Sequence, residues 1–104
     1  MEIKAQRAGI IKVNADNKSI SEIARIFLEA TVEAKYSYCF DWLGRPIIQY
    51  PQDIVAFQEL VSTVKPNLII ETGIAHGGSL VLSASMLCLL DVMEGVAPRP
   101  DPVT

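Results

Sequence analysis

Leu68–Ser79, LIIETGIAHGGS, sets a short apolar run against a turn with three glycines, and its reading decides the fold. Leu68–Glu71 is continuous and β-prone, the pattern of a parallel strand buried on both faces. Gly73 at its end supplies a sharp turn. Gly77 and Gly78 remove side chains where a ligand approaches the backbone, and Ser79 can cap a following helix or donate to a carboxylate. Residues 79–93 are apolar nearly all round, as expected of a helix lying beneath other elements. Strand, glycine turn and helix in that order predict the opening of a doubly wound α/β domain, where ligands sit beyond the carboxyl ends of the strands.

Working upstream, Lys65-Pro66-Asn67 is a stop and a turn. Ile54, Phe57, Leu60, Val61 and Val64 form an apolar stripe that predicts a helix over about 52–64. Pro51 suits its first turn and Asp53 complements the positive end of its dipole. YSYCFDWLGRPIIQYP, residues 36–51, breaks the helical pattern with Gly44, Pro46 and Pro51 and holds the only tryptophan. It predicts an aromatic loop, either packed on a neighbour or laid over a ligand. Before it, Ile20, Ile23, Phe27, Ala30 and Ala34 predict an amphipathic helix over 20–35, with Ser19 and Glu22 at the spacing of a capping box. Glu22, Arg25, Glu29 and Glu33 fall on its solvated faces. Residues up to about Asn17 are polar and weakly patterned, with GIIKV (9–13) as a short edge strand or an extended arm. Two segments result: 1–94, a folded domain portion, and 95–104, GVAPRPDPVT, an extended and disordered tail.

Half of the 104 residues are hydrophobic and the formal net charge is -3, the composition of a globular, mildly acidic protein. The basic residues are scattered from Lys4 to Arg99 without a cluster to neutralise a row of phosphates, which argues against nucleic acid as a partner. Cys39 and Cys88 form no C-x-x-C pair and the N-terminus has no secretory core, so both thiols read as reduced and the location as cytoplasmic. Gly73–Leu90 carries no Asp, Glu, Lys or Arg. His76, Gly77, Gly78, Ser79, Ser83 and Ser85 nevertheless argue against a membrane span.

The glycine turn narrows the ligand. No G-K-[ST] follows, so a nucleotide triphosphate has no lysine to meet, and the dinucleotide pattern G-x-G-x-x-G fails at its second glycine. With Glu71 the row reads E-x-G-x-A-x-G, close to the acidic-x-Gly-x-Gly-x-Gly of class I S-adenosylmethionine methyltransferases, with Ala75 at the middle glycine. A carboxylate there suits a ligand carrying an ammonium group and repels phosphate.

Residues 40–90 resemble the cephalosporin hydroxylase and rhamnosyl O-methyltransferase family. The likeness is carried by Trp42, Gly44, Pro46, Gln49, Pro51 and Asp53, then Lys65-Pro66, Glu71-Thr72-Gly73 and His76-Gly77-Gly78-Ser79. It implies a Rossmann-like methyltransferase fold, S-adenosylmethionine as cofactor, magnesium in the full-length family, and a small-molecule or glycolipid hydroxyl as acceptor. By that resemblance Glu71, Gly73, Gly77, Gly78 and Ser79 line the methionine end of the cofactor. His76 sits on the loop, either as a base or hydrogen-bonded to the backbone, and Gln49 and Trp42 either approach the cofactor or build the fold.

A doubly wound domain needs several strand–helix units of roughly 30 residues each. The order helix, helix, strand, glycine loop, helix is therefore expected to be the N-terminal portion of that fold, incomplete and inactive alone, without the later acidic residues that hold ribose and metal. The competing expectation is a non-catalytic helical interaction or dimerisation module, a homo-oligomer joined through its apolar helices. No catalytic residue and no metal ligand is assigned.

Overall fold

The computed structural model describes residues 2–98. The chain divides into two compact units, Met1–Lys35 and Tyr36–Thr104.

In the first unit, α1 (Glu2–Ala15) packs against α2 (Lys18–Glu33). The opening segment is thus a helix, where the sequence predicts an edge strand or an arm. Lys4, Ala5, Gln6, Arg7 and Ala8 are strong helix formers, and exposed Lys12 pairs with Asp16 one turn later at 3.7 Å. Propensity and local pairs outweigh the missing apolar stripe, since no residue of α1 is buried. The cap of α2 falls on Asn17 and not Ser19: Asn17 Oδ1 accepts from the N–H groups of Ser19 at 2.9 Å and Ile20 at 3.2 Å. Glu22 turns outward, away from the expected capping box. Its carboxylate and that of Glu29 hold Arg25 at 2.5 and 2.7 Å and, Glu22 first, raise the guanidinium pKa above its ordinary value.

The second unit runs through a single 3-10 turn (Tyr36–Tyr38), β1 (Phe40–Trp42), β2 (Arg45–Ile47), α3 (Pro51–Val64) and α4 (Gly78–Met93). The aromatic segment read as a loop is a hairpin. Leu43 and Gly44, at φ 48 and 81, make a two-residue turn whose left-handed backbone matches the strand twist. Its register sets Trp42 against Arg45, Asp41 against Pro46 and Phe40 against Ile47. Counting from the turn, the Asp41–Pro46 pair is the one that exchanges no hydrogen bonds, so the missing proline N–H leaves no gap. Tyr36 meets the Phe40 ring edge-on at 5.1 Å and the tilted Tyr50 ring at 5.7 Å, so the aromatic residues pack on one another.

Helix α3 starts at Pro51 and stops at Lys65, whose φ of 51 ends it as a left-handed cap. Helix α4 lies within a residue of its predicted start. It ends in a Schellman motif: Gly95, at φ 74, donates to Val92 O at 3.1 Å and Val96 N–H to Asp91 O at 3.0 Å. The extended, disordered tail expected over 95–104 is therefore not met at its start, where Gly95 and Val96 close the helix, and residues 99–104 lie outside the described residues. The core joins Ile47 of β2, Val61 of α3, and Leu82 and Leu87 of α4. Only one face of α4 is covered, because Leu89 and Val92 are more than half exposed; the expectation of all-round burial is not met.

The main correction concerns Leu68–Glu71. It is not a strand, and Leu68 and Ile70 are 58 % and 81 % exposed. Among the described residues the sheet holds β1 and β2 alone, and β-propensity without a partner ladder makes no strand. The structure is helical with a small antiparallel sheet, α/β in character. No helix among the described residues is long and apolar enough to cross a membrane.

Candidate functional site

Glu71, the acid that closes the apolar run, is brought back onto the first turns of α4. Ser79 Oγ donates to its Oε2 at 2.9 Å and Ser83 Oγ to its Oε1 at 2.5 Å. Of the two roles open to Ser79 from sequence, it takes the carboxylate, leaving the helix to be capped by Gly77 through its backbone. Ser79 and Ser83 are four residues apart and so share one helix face. Ser83 is 4 % exposed, while Glu71 and Ser79 are half-buried.

The turn from Glu71 to Gly77 alternates handedness. Gly73, Ala75 and Gly77 have φ of 69, 45 and 85, so every glycine position of the E-x-G-x-A-x-G row is left-handed, including the one alanine occupies. Gly77 N–H closes the turn on Ile74 O at 2.8 Å. A side chain on Gly73 would meet open space, and one on Gly77 would meet only Arg45 Nη1 at 3.9 Å, so both leave room beside the backbone. Gly78 differs. Its bare side faces Pro46 O, and a Cβ there would lie 2.7 Å from Ile47 Cβ. The third glycine therefore lets α4 approach the hairpin, a role the sequence reading did not give it.

The remaining candidates sit apart from this cluster. His76 is exposed on the turn. Gln49, after β2, is half-buried and its backbone N–H donates to Ser37 O at 3.1 Å. No hydrogen bond joins either side chain to Glu71 among the described residues. Trp42 builds the fold: its indole N–H donates to Ser85 Oγ at 3.1 Å, fastening the hairpin to α4. Sequence reasoning missed Ser83 and Arg45. A serine one turn after Ser79 in an otherwise apolar helix was the available signal for Ser83, whereas Arg45 is brought to Gly77 by a hairpin that was not foreseen.

An apolar groove of about 200 Å³ between α3 and α4, lined by Val61, Met86, Leu90 and Met93 among others, holds no titratable group and offers packing surface without chemistry. No three His, Cys, Asp or Glu side chains converge among the described residues, so the donor set there does not fit magnesium. Cys39 and Cys88 form no disulfide with one another.

The cluster thus joins an acid at a helix start to a bare, left-handed turn. The family described as Rhamnosyl O-methyltransferase/CmcI matches residues 34–98, more than half of the chain. The chain belongs to this O-methyltransferase family, and the match coincides with the second unit, leaving α1 and α2 outside it. No curated protein and no solved structure matches the chain.

Proposed function

We propose that this chain is an S-adenosylmethionine-dependent O-methyltransferase-like protein whose residues 71–79 hold the methionine end of the cofactor. The observation that carries the reading is the Glu71 carboxylate, fixed at the start of α4 by two serine hydroxyls beside the open backbone of Gly73 and Gly77. Glu71 accepts from the ligand's ammonium group. Arg45, lying against Gly77, and the unpaired N–H groups of the first turn of α4 offer the opposite charge to its carboxylate. When bound, the cofactor supplies a sulfonium methyl group to a hydroxyl oxygen of a small molecule or glycolipid.

In this reading Leu68–Glu71 becomes a strand of a Rossmann-like sheet once a neighbour pairs with it, and the protein works in the cytoplasm with its thiols reduced. Within the 1–94 portion, the methyltransferase-like part is the one the family matches from residue 34 on, and the tail follows the cap of α4. His76 and Gln49 stand as further contacts at the loop. Transfer also needs a base and a positioned acceptor, and in this reading the chain by itself binds the cofactor without transferring a methyl group.

Calorimetry with S-adenosylhomocysteine tests the site. Glu71→Gln is expected to weaken binding about tenfold or more, because it removes a charge-assisted hydrogen bond. Gly77→Val is expected to abolish it, since a β-branched side chain resists φ of 85 and fills the open space. Binding of NAD or ATP without S-adenosylhomocysteine would overturn the reading.

A further inference from the structure

We propose that Ser83 is a positioning residue of the Glu71 site, holding the carboxylate in the one orientation that presents it to a ligand's ammonium group. The proposal rests on the cofactor reading above and adds a residue to it.

Ser83 lies in the interior of α4, next to Leu82 and on the same side as Leu87, where an apolar side chain would pack with no polar atom to satisfy. A buried hydroxyl must find a partner. The usual partner inside a helix is the carbonyl four residues back, and Ser85, two positions on, takes it by donating to Val81 O at 2.8 Å. Ser83 instead reaches Glu71 Oε1 at 2.5 Å, across a separation of 12 residues. The same helix thus holds one serine donating to its own backbone, Ser85, and two donating to Glu71, Ser79 and Ser83.

The two hydroxyls on Glu71 are not equivalent. Ser79 is half-buried and lies at the open end of α4, within reach of a ligand that can take over its hydroxyl. Ser83 is 4 % exposed, which leaves its hydroxyl little room to meet a ligand directly. When a ligand engages Ser79 and the Oε2 side, Ser83 remains the anchor on Oε1. That anchor matters because, among the described residues, 68–71 have no ladder, and Ile70 before the acid is 81 % exposed, which leaves the serine contacts to orient the carboxylate. The Ser83 bond therefore supplies part of the preorganisation that a paired strand would otherwise give.

Calorimetry with S-adenosylhomocysteine on the full chain tests the proposal through Ser83→Ala, Ser83→Thr, Glu71→Gln and the Glu71→Gln/Ser83→Ala pair. Ser83→Ala is expected to weaken binding about tenfold, the effect of losing a hydrogen bond to a charged group, with helical circular dichroism unchanged. Ser83→Thr keeps the hydroxyl and is expected to restore binding to within about twofold. In the Glu71→Gln background, Ser83→Ala is expected to add less than about twofold, because its effect passes through the carboxylate. Equal losses in both backgrounds, or no loss in Ser83→Ala, would overturn the assignment. A second readout separates this from a failure of the cofactor reading: the Glu71 side-chain carboxylate 13C resonance, followed by NMR without ligand. It is expected to move in Ser83→Ala and to stay in Ser83→Thr. If the wild-type chain binds no S-adenosylhomocysteine yet the resonance moves, the cofactor reading fails and the positioning contact stands; an unmoved resonance sinks the contact.

Discussion

Arg45-Pro46-Ile47 is a strand although it contains a proline, whereas Leu68-Ile69-Ile70 is not one although all its residues favour strands. The difference is the neighbour. Arg45–Ile47 follows a two-residue turn that folds it back on Phe40–Trp42, and the helix start at Gly78 covers it, leaving Ile47 1 % exposed. Leu68–Ile70 runs from the cap of α3 to the glycine turn with no partner strand among the described residues, and Ile70 stays 81 % exposed. Strand formation here belongs to the pair and its cover, and intrinsic preference does not substitute for them.

The hairpin side of this comparison is broken most directly at Gly78. Gly78→Ala places a Cβ against Pro46 O, a backbone atom that cannot swing aside, and 2.7 Å from Ile47 Cβ. Helix α4 and the hairpin must separate, at an expected loss of about 3 kcal/mol, the upper range for forcing a group into a packed site. Urea denaturation followed by Trp42 fluorescence measures it, since Trp42 sits in the same junction through Ser85. A change below about 0.5 kcal/mol, within the scatter of surface substitutions, would show that the junction does not form in solution.

That junction also marks where the sequence stops being legible. Helices α2, α3 and α4 could be read because their apolar spacing, Pro51 and the Lys65-Pro66 stop are local signals. A carboxylate partner for Ser79 is one of two options legible for a serine behind a glycine turn, but that the carboxylate is Glu71's own is not. Helix α1 is not legible because none of its residues is buried, which leaves no apolar period to see. The hairpin was missed because Leu43-Gly44 is not a usual left-handed dipeptide and Pro46 argues against a strand until its register is known. Ser83 and Arg45 were missed because their roles depend on tertiary placement, and Leu68–Glu71 was misread because a partner cannot be inferred from the run itself.

Between the two regions lies the turn, where Ala75 occupies the middle position of the row at φ 45. An alanine Cβ in the left-handed region is held against its preceding carbonyl at about 1–2 kcal/mol. Ala75→Gly removes that strain and gives back part of the gain as unfolded-state entropy. The expected result is a net stabilisation of about 1 kcal/mol, read as a higher midpoint in urea with an unchanged slope. Loss of stability would mean that the alanine methyl group makes a contact worth more than the strain, and that the turn is not fixed by its handedness.

The smallest expected effect is at Ile70, and it discriminates most sharply between the two regions. In a strand buried on both faces, Ile70→Lys would strand a charge in the core and cost several kcal/mol. With Ile70 81 % exposed, the lysine head meets water and no packing is lost, so the stability of the chain is expected to change by less than about 0.5 kcal/mol. The same substitution leaves Glu71 and its two serines in place, so binding of S-adenosylhomocysteine is expected to hold as well. A large loss of stability would instead show that the run is covered in solution by a partner strand, and light scattering on the wild-type chain then identifies the source: a dimer mass assigns the cover to a second copy, and a monomer mass to a rearrangement within the chain.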